Sequence, residues 1–195
     1  MAANVNRVLV LLHPGFEGLE ATGPIDILRR AGLEVTVAST SDSLLVTGRD
    51  QITIEADALL DDIEAESFDA IVVPGGPGIM ELRGDARISS LLQAYGRASK
   101  PVAAICAAPL LLKDAGLLEG RRAAAHFTCR EEIPDLEEDA PFVEDGLIYT
   151  SRGAGDCVAF GLGLAARFAG RDKAIEVAES ICLSADDVPQ GIKAS

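Results

Sequence analysis

Residues 101–105 (PVAAI) read as a buried strand and run straight into Cys106, after which residues 107–115 read as a helix closed by Gly116. With no turn residue between the two elements, the sequence predicts a sharp strand-to-helix elbow at Cys106, the geometry that serine hydrolases build with a G-x-S-x-G turn. A thiol there faces the first free N–H groups of a helix, whose partial positive charge favours the thiolate and can hold a negative substrate oxygen. Ala104, Ala107 and Ala108 leave room for a ligand to approach. Free cysteine is also among the most buried residue types and is most often inert packing. The partners of Cys106 therefore decide what it is for.

Along the chain, hydrophobic periods of two and of 3.6 residues alternate. An apolar run at residues 5–12 reads as a first strand, stopped by His13, Pro14 and Gly15. Residues 17–31 then carry Leu19, Ile25, Ile27 and Leu28 at helical spacing among charged residues, with Gly32 as C-cap and Pro24 expected to kink the helix or mark a late start. Residues 33–38 complete a right-handed parallel strand–helix–strand unit. Residues 44–46 and 51–55 read as a small hairpin beside the main sheet, 58–63 as a short acidic helical turn, and 68–73 as the next strand. That strand ends in Pro74, Gly75, Gly76, Pro77 and Gly78, which reads either as a nest of backbone N–H groups for an anion or as a tight turn.

A helix over 88–99 precedes the cysteine elbow, and a short strand over 123–127 carries His126 after it. Residues 128–139 are acidic and read as a surface excursion, 143–145 and 147–151 flank a turn at Gly146, and two helices follow at 156–169 and 171–181. Gly161 and Gly163 within the first of these predict close packing, and a polar tail is expected from Asp186 onward. Alternation of this kind predicts one α/β domain over residues 1–195: a three-layer sandwich with a mostly parallel sheet and helices on both faces. In such sheets ligands bind beyond the carboxyl ends of the strands. Cys106, Gly75 and the segment from His13 to Glu20 are all expected at such ends.

Composition narrows the function classes. Aromatic residues are 4% of the chain and Trp is absent, so the core must be built from Ala, Val, Ile and Leu, the usual filling of a covered parallel sheet. A net charge of −14, with 17 Lys and Arg against 31 Asp and Glu, repels a phosphate backbone or an anionic membrane surface. Neither nucleic acid nor membrane is an expected partner. The amino-terminal segment has one cation and an apolar run too short for a signal or a membrane span, so a cytoplasmic protein is expected. Cys106, Cys129, Cys157 and Cys182 have no C-x-x-C spacing and are expected as thiols. His126, Cys129 and Cys106 make three possible metal donors, but no fourth is evident, and no metal is expected.

Five segments in this order, Glu20 within 20–32, 73–76 (VPGG), 103–109 (AAICAAP), His126, and 150–155 (TSRGAG), resemble the ThiJ/PfpI superfamily on the branch of the parkinsonism-associated protein DJ-one. The likeness runs from about Arg7 to about Ile181. It implies a flavodoxin-like sandwich of the class I glutamine amidotransferase type, a homodimer, and a low-pKa nucleophile at Cys106. It further implies Glu20 as the carboxyl bonded to the Cys106 sulfur and His126 as acid/base. The N–H groups of Gly75, Gly76 and Ala107 are the implied oxyanion site, with Arg49 and Arg152 beside the pocket. Taken from the residues alone, Glu20 equally caps its helix, His126 equally sits satisfied in the core, and Arg152 equally pairs with an acid. Ala154 stands where close relatives often have Pro, and residues 127–139 lack the relatives' lysine-rich composition, so the loop beside His126 is expected to be shaped differently.

The implied chemistry is cofactor-independent turnover of reactive α-oxoaldehydes, free or as adducts on proteins, through a Cys106 hemithioacetal (glyoxalase or deglycase). A redox sensor or chaperone that works by oxidation of Cys106 is the alternative. A cysteine peptidase or amidase is disfavoured, because Ala107 replaces the His that follows the nucleophile in the superfamily's peptidase branch.

Overall fold

The computed structural model describes residues 5–190. Its strands are β1 (Arg7–Leu12), β2 (Glu34–Ser39), β3 (Leu45–Thr47), β4 (Thr53–Glu55), β5 (Ala58–Leu59), β6 (Ala70–Val73), β7 (Val102–Ile105), β8 (Val143–Asp145) and β9 (Ile148–Ser151). Its helices are α1 (Gly18–Arg30), α2 (Ile79–Leu82), α3 (Ala86–Arg97), α4 (Pro109–Asp114), α5 (Cys157–Phe168) and α6 (Arg171–Ser180). Seven strands form one sheet in the order β5-β2-β1-β6-β7-β9-β8, parallel throughout except for β8, which runs antiparallel to β9. The hairpin β3–β4 stands beside it as a separate ribbon.

The strand period of two divides the core between the faces of this sheet. Val8, Val10, Val35, Val37, Val72, Ala103 and Ile105 pack with Ile27 and Leu28 of α1, Phe160 and Leu164 of α5, and Val177 of α6. The alternate residues Leu9, Leu11, Ile71, Val73, Val102 and Ala104 pack with Ile79 of α2, Ile88 and Leu92 of α3, and Leu112 of α4. The result is the three-layer flavodoxin-like sandwich. Continuously apolar strands such as β6 and β7 follow from it, because both of their faces are covered.

Several local expectations change. Pro24 neither delays nor divides α1, which starts at Gly18, capped by the side chain of Glu17; the ring is buried against the layer beneath. Residues 58–59 pair with Ala38 and Ser39 as the edge strand β5, and only Leu60–Asp62 form a 3₁₀ turn. Residues 123–127 do not form a strand. Ala123 makes one bridge to Leu136, while the N–H groups of Ala124 and His126 go to Thr150 Oγ1 and the Cys106 carbonyl, so no ladder is left to build. At the elbow, residues 106–108 are a turn, and α4 begins at Pro109, where a missing N–H costs nothing. The tail expected from Asp186 is described through a 3₁₀ turn at Ala185–Asp187 and on to Gln190; residues 191–195, like residues 1–4 of the amino-terminal segment, lie outside the described residues. Among the described residues no helix is long and apolar enough to cross a membrane.

The close packing expected of Gly161 and Gly163 is present. A Cβ on Gly161 would come 2.8 Å from Ile27 Cδ1, and one on Gly163 would come 2.7 Å from the Phe142 ring. Glycine to alanine in a helix interior normally stabilises. Gly163→Ala is expected to do the reverse, lowering stability by about 1–3 kcal/mol through overpacking. Thermal unfolding checks this, and a raised melting temperature contradicts it.

Candidate active site

Chain order reverses between β1 and β6, the switch point where open parallel sheets leave a crevice beyond the strand ends. The loops after β1, β6 and β7 meet there. Cys106 has φ +65°, the left-handed region, and is partly exposed. That conformation costs a non-glycine residue about 1–2 kcal/mol. Three backbone bonds hold the site: the Cys106 N–H donates to Ser151 O at 3.0 Å, its carbonyl accepts from His126 N at 2.8 Å, and the Ala108 N–H closes the turn onto Ile105 O at 3.0 Å.

Glu20 is 1% exposed. Its Oε2 accepts the Gly75 N–H at 3.0 Å, and its carboxyl hydrogen-bonds the Cys106 thiol. A side chain at position 75 is sterically excluded, since a Cβ would lie 2.6 Å from both Cys106 Cβ and Glu20 Oε2. Gly76, at φ +110°, turns the chain so that its N–H reaches the sulfur, as does that of Ala107. Of the three amides that the resemblance implies as an oxyanion site, one is already engaged. Gly75 spends its N–H on Glu20, and Gly76 and Ala107 are the amides that face the sulfur.

The expectation of a thiolate sustained by a helix terminus also changes. The helix α4 has six residues and starts three positions after Cys106. Burial dominates instead, and together with the charge of Glu20 it pushes the Cys106 thiol up to about 12. Burial likewise raises Glu20 from 4.5 to about 7, aided by the nearby charge of Glu17 and opposed by the Cys106 and Gly75 hydrogen bonds. Near neutral pH the carboxyl gives up its proton while the sulfur keeps its own. When the sulfur forms a new bond, that proton has an acceptor already in contact.

His126 is half-buried and caps the 3₁₀ turn Phe127–Cys129. Its Nδ1 lies 2.8 Å from Thr128 Oγ1, and the exposed ring of Phe127 packs against it at 4.2 Å between centroids. Gly153 joins it to the pair, because a Cβ there would touch both Glu20 Oε1 and His126 Cδ2 at 3.7 Å. A cavity of about 420 Å³ opens beside them, lined by Ala125, His126, Leu136, Arg152 and Asp156 among others. A larger hollow of about 640 Å³, between Leu60, Ile63 and Leu91, contains none of these groups. Arg49 acts electrostatically on Glu20 and lies 3.7 Å from Asp50, while Arg152 is bound by Asp156. Among the described residues no three His, Cys, Asp or Glu side chains converge as metal donors.

Four contributors escaped sequence reasoning. Glu17 caps α1 by accepting the Glu20 N–H at 2.9 Å, and its three-residue spacing from Glu20 was the available sign. His13 is fully buried, which lowers its pKa, and its Nε2 lies 3.2 Å from the Pro74 carbonyl, joining the loop after β1 to the loop after β6. Asp156 stands four residues after Arg152, a pairing distance. Gly153 matters only through what it lies between, which no local pattern encodes.

Comparison with known proteins bears on the family and the fold. The model for the DJ-1/PfpI family matches residues 6–167. Protein DJ-1 homolog B of Arabidopsis thaliana is 34% identical over 177 residues, 89% of this chain but 40% of that protein, so the chain spans less than half of it. Protein dj-1beta of Drosophila melanogaster is 33% identical over 180 residues, 90% of this chain and 96% of its own length. Deglycase TK1284 of Thermococcus kodakarensis is 34% identical over 157 residues, 79% of this chain and 94% of its own. A Bacillus subtilis relative, YraA, 32% identical over 79% of this chain and 93% of its own length, bears a provisional cysteine-protease name. The crystal structure of Drosophila melanogaster DJ-1beta superposes with a TM-score of 0.87 at 32% identity, over 92% of this chain and 99% of that one.

Because the folded state holds the Glu20 proton to higher pH than the unfolded chain does, native protein binds more protons between pH 4.5 and about 7, and its stability falls across that window as pH rises. Relative to Glu20→Gln, which has no such proton, the wild type is expected to lose about 3 kcal/mol between pH 4.5 and 7.5. Parallel pH–stability curves for the two proteins contradict the burial-driven shift.

Proposed function

The chain belongs to the DJ-1/PfpI family, and on that premise we propose that it is a cysteine-dependent, cofactor-independent enzyme acting on reactive α-oxoaldehydes, free or as adducts on proteins. One observation carries the reading: a solvent-reachable thiol at a strained elbow is in contact with a buried carboxyl poised near neutrality. A base with that pKa is matched to taking a thiol proton at physiological pH. The deglycase name of the Thermococcus relative supports the substrate class.

Glu20 takes the Cys106 proton as sulfur adds to the aldehyde carbon of methylglyoxal, and the amides of Gly76 and Ala107 hold the alkoxide of the hemithioacetal. His126 and Glu20 then move the proton from the first carbon to the second, leaving a lactoyl thioester on Cys106. Water hydrolyses that thioester to lactate and restores the thiol, so the net change is addition of one water to methylglyoxal. No electron acceptor is needed. A peptidase mechanism has less support, since Ala107 supplies no base next to the nucleophile. Oxidation sensing keeps one specific support: the amides and carboxyl around the sulfur are the donors a sulfinate would require, and a structural relative from Toxoplasma gondii, with a TM-score of 0.86, 31% identical over 91% of this chain and 98% of its own, is described as oxidized.

The proposal includes a single domain, a cytoplasmic location and a homodimer. Exposed Leu19, Leu45 and Ile52 favour self-association, with Ile52 packed within 3.4 Å of the Cβ position of Gly18 at the start of α1. Two outcomes test these readings. Lactate formation from methylglyoxal is expected in the wild type and abolished by Cys106→Ser with the fold intact; retained turnover, or peroxide oxidation of Cys106 without any turnover, overturns the enzyme. Ile52→Asp is expected to shift sedimentation from dimer to monomer, and a monomeric wild type rejects the dimer.

A further inference from the structure

The cavity lined by His126 and Gly153, which adjoins Glu20 through Gly153, is short of available positive charge. Arg152 is the cation in its wall, and every nitrogen of its guanidinium is engaged: Nε on Asp156 Oδ2 at 2.7 Å, Nη2 on Asp156 Oδ1 at 2.9 Å, and Nη1 on the Glu138 carbonyl at 2.9 Å. Asp156 occupies the cap position of α5 yet caps nothing, its carboxylate being turned onto the arginine instead. Aspartate at that position ordinarily bonds the helix N–H groups. The fork-to-fork geometry is the strongest form an Arg–carboxylate pair takes.

The surroundings deepen the deficit. Glu138 is balanced by its pair with Arg130, Asp139 acts on Arg152, and at Glu20 the charge of Glu17 adds to the carboxylates while Arg49 is paired with Asp50. His126 Nδ1 is occupied by Thr128. A substrate carboxylate entering here meets arginines already matched and further acids beyond them. An uncharged carbonyl compound meets the Gly76 and Ala107 amides without that opposition.

Resting on the reading of Cys106 as the nucleophile toward dicarbonyls, we propose that this site selects uncharged 1,2-dicarbonyl compounds and rejects anionic ones, 2-oxo acids foremost, and that Asp156 sets the selectivity by holding Arg152. Specificity of this kind comes from a repulsive element as much as from an attractive one. Its cost to an anion is the like charge it must approach in a cavity with restricted water.

Alkylation of Cys106 reads the selectivity without requiring turnover. Neutral iodoacetamide and anionic iodoacetate deliver groups of nearly equal size, and peptide mass spectrometry scores Cys106 against exposed Cys182 in the same molecule. In the wild type the iodoacetate-to-iodoacetamide rate ratio at Cys106 is expected to be about tenfold below that at Cys182. Asp156→Asn, which keeps the side-chain size and frees Arg152, should raise the Cys106 ratio by about the same factor; Arg152→Gln with Asp156→Asn should abolish that gain. Equal ratios at the two cysteines in the wild type, or an unmoved ratio in Asp156→Asn, overturn the proposal. Absence of lactate formation with the ratios as expected removes the enzymatic reading alone, whereas equal turnover of methylglyoxal and glyoxylate removes the charge selectivity alone.

Discussion

The contact of a buried carboxyl with a partly exposed thiol is the interaction on which the site depends. Glu20 is nearly sealed from solvent, and Cys106 is reachable but mostly enclosed. Neither group alone ionises easily there, since burial penalises each charge. Above about pH 7 the pair carries a single negative charge, on the carboxyl while the sulfur keeps its proton, with the Gly75 amide turned to the carboxyl and those of Gly76 and Ala107 to the sulfur. A nucleophile kept as thiol until its base removes the proton is also less exposed to adventitious oxidation than a standing thiolate.

The rest of the fold keeps these atoms together. The switch point between β1 and β6 brings α1, which carries Glu20, against the glycine turn after β6. Glycine at position 75 is what allows the carboxyl, the sulfur and the turn to share one small volume. His13 ties the two loops from beneath, and Ser151 and His126 pin the elbow from either side. The strain at Cys106 is therefore offset by backbone hydrogen bonds rather than by the chemistry it serves.

Much of this was legible in the chain. The sandwich follows from alternating periods and glycine stops, strand ends mark Cys106, Gly75 and the segment from His13 to Glu20, and the roles of Glu20 and Gly76 are what the resemblance implies. What could not be read was which group holds which. The short helix after Cys106 was taken for a source of positive potential, yet burial and a carboxylate outweigh its dipole. His126 was placed on a strand because residues 123–127 are apolar, whereas their hydrogen-bonding partners come from Thr150 and the elbow carbonyl. Arg152 either lines the pocket or pairs with an acid on sequence alone, and the structure identifies that acid as Asp156. In the first two cases the deciding interaction joins residues distant in sequence or depends on burial, and neither property is local; Arg152 and Asp156 are only four residues apart, a spacing that allows the pair without requiring it.

The account stands or falls on the coupling of sulfur and carboxyl. The most direct measurement is the rate of Cys106 modification by a neutral alkylating agent as a function of pH, in the wild type and in Glu20→Gln. Coupling of the two groups predicts a wild-type rate that rises through an inflection near pH 7, where Glu20 becomes the base, and a variant that has lost this inflection and reacts only as the thiol itself ionises, which burial keeps on the alkaline side. Identical profiles in the two proteins, or a rate already at its plateau in acid, would show that the sulfur ionises without Glu20 and would contradict it.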